Sequence, residues 1–348
     1  MNYTTLKDDF KIRFNTNRSI DCAFCGTPLF LLGDITPGTA LVTSLSAGTA
    51  IAYAPKDTPA FSVQSSDSNI SYTCPKDKLL QYHEENYAKN IFHMISSLSP
   101  HLPINGADFL FSHNTVSSVF HNQTGALFVL LSDLFSISEN DKKILLLKSE
   151  PQEQISLISA VNAKSHRAVI YDKSDFKSYP LPISGHKIII VTADIKNAYL
   201  QRKVNDAVKT LGEHLEKSLE VCDISREILT DIPAQQKQLL DFCINERQRI
   251  SAYPKVASLR ELCDLINASS RELLNIIASK ELTRLFDIVS SDDICAFRPA
   301  FDGTALYCIV QDDSVDKFIF QTEAAYEKKA GFKPAFYVCD TVTNGIIH

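Results

Sequence analysis

Ala325-Tyr326-Glu327-Lys328-Lys329-Ala330-Gly331-Phe332-Lys333-Pro334, with Phe336-Tyr337-Val338 one residue beyond, decides how the final stretch of this 348-residue chain reads. It closes an amphipathic helix that runs through Phe318, Ala324, Ala325 and Tyr326 and leads into a short strand, Ala335 to Val338. Ahead of the helix lies an apolar strand, Thr304 to Val310. Strand, helix and strand in this order predict a βαβ-like or split βαβ unit. The turn that precedes it, Ala296-Phe297-Arg298-Pro299-Ala300-Phe301-Asp302-Gly303, keeps one glycine.

Two more stretches belong with this one: Cys25-Gly26-Thr27-Pro28-Leu29-Phe30-Leu31-Leu32-Gly33-Asp34-Ile35-Thr36-Pro37-Gly38, and Ser112-His113-Asn114-Thr115-Val116-Ser117-Ser118-Val119-Phe120-His121-Asn122-Gln123-Thr124-Gly125. Together they resemble the galactokinases, within the larger group of GHMP kinases, and the resemblance runs the length of the chain. The C-terminal motif of that family reads G-A-R-M-T-G-G-G-F-G-G-C, then an apolar strand, a helix ending A-Y-E-x-K-x-G-x-K-P, and F-Y-V. The helix and final strand match closely here, and the glycines do not. The family's A-P-G-R-V-N-L-I-G-E-H-T-D-Y lies without a gap on Cys25 to Gly38, with Leu31, Gly33 and Thr36 holding the frame. Its arginine becomes Pro28, its asparagine Phe30, its histidine Ile35 and its sugar-binding aspartate Pro37. Asp34 stands in place of the glutamate.

The phosphate loop S-G-N-I-P-L-G-A-G-L-S-S-S-A lies on Ser112 to Gly125, where only Thr124 keeps a hydroxyl from the serine run. G-I-M-D-Q, whose aspartate faces the reacting sugar hydroxyl, lies on Glu150-Pro151-Gln152-Glu153-Gln154, with Glu153 longer by a methylene. Asn86-Tyr87 resemble the family's N-Y. Glu246 and Arg249 resemble its E-x-x-R, and Asn267 to Leu273 its N-E-S-H-R-S-L.

The resemblance implies an α+β protein of GHMP-kinase-like fold, with mixed sheets and helices and a site in the cleft between two domains. Domains are expected at 1–184 and 185–348, with Pro180 to Gly185 as the linker. The site residues it implies are Glu153 as base, Asp34 as sugar ligand, and Thr124 and Gly303 at the nucleotide, with no metal ligand. Each has a second reading. Asp34 also suits the turn Gly33 to Pro37, Glu153 a solvated helix start, and Thr124 an ordinary first-turn hydroxyl. His113 and His121, the loop histidines nearby, read as plain loop residues or as the lining of a new ligand pocket.

Glycine-rich loops hold polyphosphate because missing side chains let backbone N–H groups converge on the anion and because glycine tolerates positive φ. Phe120, His121, Phe301 and Asp302 work against that, and the Asp302 carboxylate would repel phosphate. Phosphoryl transfer rests on positioning and charge stabilisation, so losing the cation at the Pro28 position costs on the order of 10³ or more in rate. The expectation is a galactokinase-like protein that is catalytically impaired or inactive, with a binding, regulatory or scaffolding role. The alternative is an active ATP-dependent sugar kinase with an altered site, using ATP and Mg²⁺. A sugar or other small molecule is the expected ligand.

Composition agrees with a globular chain, 45% hydrophobic with a net charge of −6, which argues against nucleic acid or an anionic membrane as partner. No apolar run reaches the ~18 residues of a membrane span. The polar, acidic opening residues are unlike a signal peptide, so a cytoplasmic location is expected. Nine cysteines, an odd number, read as buried thiols, and Cys22-x-x-Cys25 lacks the second ligand pair that zinc would need. Two capping-box patterns, Ser258-x-x-Glu261 and Ser269-x-x-Glu272, predict helix starts, and a helix is expected from about Lys76 to Leu98. No Walker, dinucleotide, metalloprotease or nucleophile motif is present.

Overall fold

The structure is a computed structural model that describes residues 3–33, 36, 38–115, 120–148, 157, 162–172, 175–193, 198–229, 232–277, 279–289, 294–300 and 303–347. The chain forms two compact units interleaved in sequence. Unit 1 comprises Met1–Pro28, Ser44–Lys164 and Val342–His348, and unit 2 comprises Leu29–Thr43 and Ser165–Thr341. The sequence-based boundary at 184/185, and the expected linker at 180–185, fall inside unit 2.

In unit 1, β1 (Asp21–Leu32) and β2 (Thr39–Lys56), both of which also run into unit 2, stand beside β3 (Ala60–Ser65), β4 (Ser71–Pro75), β5 (Gly106–His113) and β12 (Gly345–Ile347) in the order β12-β1-β2-β5-β3-β4. β2 and β5 pair antiparallel from Thr49↔His113 to Lys56↔Gly106, whereas β3 runs parallel to β5. Helix α1 (Tyr3–Phe14) buries Leu6 and Phe10 against Cys22, Ala50, Ala52 and Leu110 of the sheet. The small alanines of β2 leave room for those two larger side chains. α3 (Gln123–Leu134) is apolar on every side and buried from Gly125 to Ser132, packed between α2 (Tyr87–Leu98) and β12. α4 (Glu139–Lys148) follows it.

The helix expected from Lys76 does not run through. Lys76–Gln81 form a short 3₁₀ turn, and α2 begins only after Asn86. The Asn86 side-chain oxygen accepts the Ala88 N–H at 3.0 Å, so the residue that resembles the asparagine of the family's N-Y serves as a helix cap.

In unit 2, the hairpin of β6 (Arg167–Asp172) and β7 (Asp175–Pro180) joins the first residues of β2, Thr39 to Val42. A four-stranded sheet has the order β11-β8-β10-β9, from β8 (His186–Thr192), β9 (Ile294–Ala300), β10 (Ala305–Gln311) and β11 (Ala335–Cys339). β10 and β11 flank β8 and are each antiparallel to it, with α9 (Val315–Ala330) between them in sequence. That is the split form of the expected βαβ unit. α9 ends where Gly331 takes φ 82°, and the Gly331 N–H closes the last turn on Glu327.

α5 (Leu200–His214), α6 (Ala234–Ala252), α7 (Leu259–Ile277) and α8 (Lys280–Val289) complete the unit. α5, α6 and α7 share a core through Leu211, Leu240, Phe242 and Leu273. α8 and α9 cover the sheet through Leu282, Leu285, Phe318 and Tyr326.

Of the two capping-box patterns, Ser258 and Glu261 do open α7: Glu261 accepts the N–H groups of Ala257 and Ser258, and the Ser258 hydroxyl accepts the Glu261 N–H. Ser269 and Glu272 lie inside the same helix, where tertiary partners claim both side chains. All nine cysteines are free thiols, and Cys22 and Cys25 are buried on β1. Among the described residues no helix is long and apolar enough to cross a membrane.

Candidate functional site

Of the four site residues expected from the sequence, Asp34 and Glu153 lie outside the described residues. Thr124 belongs to unit 1 and Gly303 to unit 2, and each is described in its own unit.

The Thr124 region begins where β5 ends. Asn114 fastens the turn to β2: its side chain accepts the Gly48 N–H at 2.7 Å and donates to the Ser46 carbonyl at 2.7 Å. At the far side Phe120 is wholly buried, and its carbonyl accepts the Thr27 hydroxyl. Asn122 then caps α3. Its side-chain oxygen accepts the Gly125 N–H at 3.1 Å, its amide donates to the Gly26 carbonyl at 3.1 Å, and its backbone N–H donates to Thr49 Oγ1 at 2.8 Å. A Cβ on Gly125 would lie 2.5 Å from Asn122 Oδ1, so the glycine is what lets the cap close. Thr124 sits half-buried in that first turn.

Beside the cap, the imidazoles of His113 and His121 stack with centroids 3.5 Å apart and planes 9° from parallel. His113 Nδ1 meets Thr49 Oγ1 at 2.9 Å, and its Nε2 lies 4.0 Å from Asp67 Oδ2. Burial, and then the adjacent His121, push the His113 pKa down to about 4 against the opposing pull of Asp67. His121 is lowered as well, chiefly by burial. The sequence marks both histidines, but Asp67 arrives from the β3–β4 turn, a long-range contact with no local signal.

In unit 2, Gly303 is buried with φ 85°, a left-handed conformation that glycine adopts without cost. A Cβ there would meet Ile277 at 3.4 Å and Ala198 at 3.5 Å, so its neighbours are apolar side chains. The segment that leads to Asp34 is held by Glu246 on α6. This wholly buried carboxylate accepts the Gly33 N–H at 2.9 Å, the Ser269 hydroxyl at 3.0 Å and the Arg298 guanidinium at 2.7 Å. Arg249 binds its other oxygen at 3.0 Å and reaches Glu272 at 2.6 Å. Glu246 and Arg249, which resemble the family's E-x-x-R, are thus a structural bracket behind the Gly33 turn.

Two features of unit 2 leave no local signal in the sequence. Tyr199, ahead of α5, has φ 51° and is 64% exposed, an unusual pairing of backbone strain with an exposed aromatic residue. A groove of about 890 Å³ runs between the β6–β7 hairpin and α6, lined among others by Asp172, Phe176, Tyr179, Arg226 and Arg247. Gly303 does not line it.

No protein-family model matches the chain. A galactokinase of Halalkalibacterium halodurans is 23% identical over 198 residues, 51% of this chain and 50% of that one, so the match spans about half the length of this curated relative. Among solved structures, Lactococcus lactis galactokinase complexed with galactose superimposes with a TM-score of 0.80 at 16% identity, covering 99% of both chains. Methanococcus jannaschii mevalonate kinase gives 0.62 at 12% identity over 94% of this chain and 99% of its own. This mixed α+β chain is thus similar in sequence to one galactokinase over about half of its length, and it shares the fold of the solved galactokinase and mevalonate kinase, the GHMP-kinase fold.

Proposed function

We propose that this galactokinase-like chain binds a small molecule without transferring phosphate from ATP. One observation carries the reading: at the start of α3 two of the donors that a phosphate would use are already taken. The Gly125 N–H goes to the Asn122 side chain and the Asn122 N–H to Thr49. Anion binding at a helix N-terminus depends on unsatisfied N–H groups that point outward. Buried Phe120 and His113, one of the two stacked imidazoles, align with glycines of the family motif. Around Gly303 the described neighbours are the hydrocarbon side chains of Ile277 and Ala198. These features support a reading in which the chain does not hold a nucleotide triphosphate with its magnesium ion.

The binding role draws support from the groove in unit 2. Its volume is in the usual range for small-molecule sites, and Phe176 and Tyr179 beside Asp172 and Arg226 suit a ligand with an apolar face and several hydroxyls, such as a sugar. The galactokinase of Lactococcus lactis was solved with galactose, which makes galactose the first sugar to try.

The test is thermal unfolding with magnesium-ATP, with galactose, and with both, alongside an assay for ADP release. A ligand that binds the folded state raises the unfolding temperature. The expected result is no shift with magnesium-ATP and no sugar-dependent ADP. An upward shift with ATP, joined by ADP release that disappears in Glu153→Ala, overturns the proposal.

A further inference from the structure

Asp67, His113 and His121 converge in unit 1 from the β3–β4 turn, the end of β5 and the approach to α3. We propose that they form a site for a divalent first-row transition metal ion, zinc foremost, with two imidazole nitrogens and one carboxylate oxygen as protein ligands.

One donor atom from each residue lies within 4.8 Å of the other two. The His113 ring is already oriented toward the site, because with Nδ1 against Thr49 Oγ1 its Nε2 is left facing Asp67 at 4.0 Å. Thr49 is itself fixed by the Asn122 N–H, so the hydroxyl orients the ring as supporting groups do around bound metals. His121 Nε2 is buried and has no hydrogen-bond partner among the described residues, a cost that an ion would remove. Gln123 reaches the same place, its amide 3.4 Å from His113 Nε2, and a turned amide presents oxygen as a further ligand.

Two imidazoles with one carboxylate suit zinc, iron(II) or cobalt(II), with positions open to water or a ligand. Magnesium and calcium favour all-oxygen shells and fit poorly. Ligand atoms around tetrahedral zinc stand roughly 3.3 Å apart, given bonds of about 2.0–2.1 Å. Closing on an ion therefore draws the donors in by under ~1.5 Å. It also fans the stacked rings apart, because a nitrogen lone pair lies in the plane of its own ring. Asp67, whose side chain is 59% exposed, is free to make most of that movement. The other cluster of ligand-type residues among the described residues, Glu220, Cys222 and Asp223, is less suited. There both carboxylates already cap one 3₁₀ turn, with Glu220 accepting from the Asp223 N–H and Asp223 from the Glu220 N–H.

The experiment titrates the full chain, stripped with a chelator, with zinc alone by calorimetry and thermal unfolding, and with cobalt(II) by visible absorption. Expected are one zinc per chain, a raised unfolding temperature and cobalt bands typical of a four-coordinate site. His113→Ala and His121→Ala should each weaken zinc binding by about 100-fold or more. Because both rings are packed, Asp67→Asn serves as the variant that keeps the fold, checked by circular dichroism, and should weaken binding about tenfold or more. Cys222→Ser should leave it unchanged. No saturable binding, unchanged affinity in Asp67→Asn and in the double histidine variant, or loss of binding in Cys222→Ser each overturns the site. The outcome is independent of whether ATP or a sugar binds.

Discussion

Glu246 and Arg298 meet at 2.7 Å with neither side chain exposed to solvent, one from the middle of α6 and the other from β9. Two charges this deep are tolerated because every oxygen is used: Gly33, Ser269 and Arg249 supply the remaining hydrogen bonds. Arg298 in turn donates to the Phe30 carbonyl and the Ser269 hydroxyl. The pair fixes the 29–33 segment to the helices of unit 2.

Glu246→Leu leaves the Arg298 guanidinium buried without a counter-charge. Removing one member of such a pair costs about 3–5 kcal/mol, whereas replacing both by apolar residues of similar volume is often close to neutral. Urea unfolding of Glu246→Leu and of the Glu246→Leu/Arg298→Met double variant reads the difference. A single variant as stable as the parent would remove the assigned role.

Gly125→Ala should damage unit 1 although alanine is the better helix former. The added Cβ lies 2.5–2.8 Å from the Asn122 side-chain atoms, so the cap must shift or break. The loss expected is about 1–3 kcal/mol, the range for overpacking and for a lost N-cap. Asn122→Ala removes the same cap from the other side, and the two substitutions together should cost less than the sum of their separate effects. A double-mutant cycle measures this.

Gly303→Ala is a test of backbone rather than of binding. At φ 85° an alanine pays roughly 1–2 kcal/mol for the left-handed conformation, and its methyl contacts with Ile277 and Ala198 are of ordinary length. A matching fall in unfolding midpoint is expected, with no larger penalty from packing.

The buried histidine makes unit 1 sensitive to mild acid. In the unfolded chain His113 titrates near 6.5, and in the folded chain near 4. Between these values the unfolded state binds more protons, so stability is intact above about 6.5 and falls as pH drops toward 4. One such proton gives a slope of up to about 1.4 kcal/mol per pH unit. Denaturant midpoints from pH 7 to 4.5, taken with a chelator present, should show this slope, and His113→Asn should reduce it, with His121, lowered in the same direction, contributing the rest.

Much of the fold is legible in the sequence because its signals are local and periodic. The strand–helix–strand of 304–338 and the Ser258 capping box both follow from residues a few positions apart. The second capping-box pattern misleads for a physical reason: Ser269 and Glu272 have the right spacing, but Glu246 and Arg249 give them better partners inside α7. Asn86 shows the reverse case, where an ordinary capping preference breaks the helix expected from Lys76.

The candidate site is less legible. In the sequence Asn122 is no more than one residue of the Ser112 to Gly125 stretch, yet its importance lies in contacts to Gly26 and Thr49, which are distant along the chain. Asp67 against His113 is of the same kind. Asp34 and Glu153 rest on the resemblance alone, being outside the described residues.

The pairing of β12 with β1, Cys22 opposite Ile347 and Phe24 opposite Gly345, sets a timetable for biogenesis. At ribosomal speeds of about 5–20 residues per second, the strand that covers this edge of β1 emerges on the order of tens of seconds after β1 itself. Through that interval the nascent polypeptide carries an unpaired strand edge, the kind of template that invites aggregation. Chaperone occupancy on translating ribosomes should therefore persist until Gly345–Ile347 have cleared the exit tunnel.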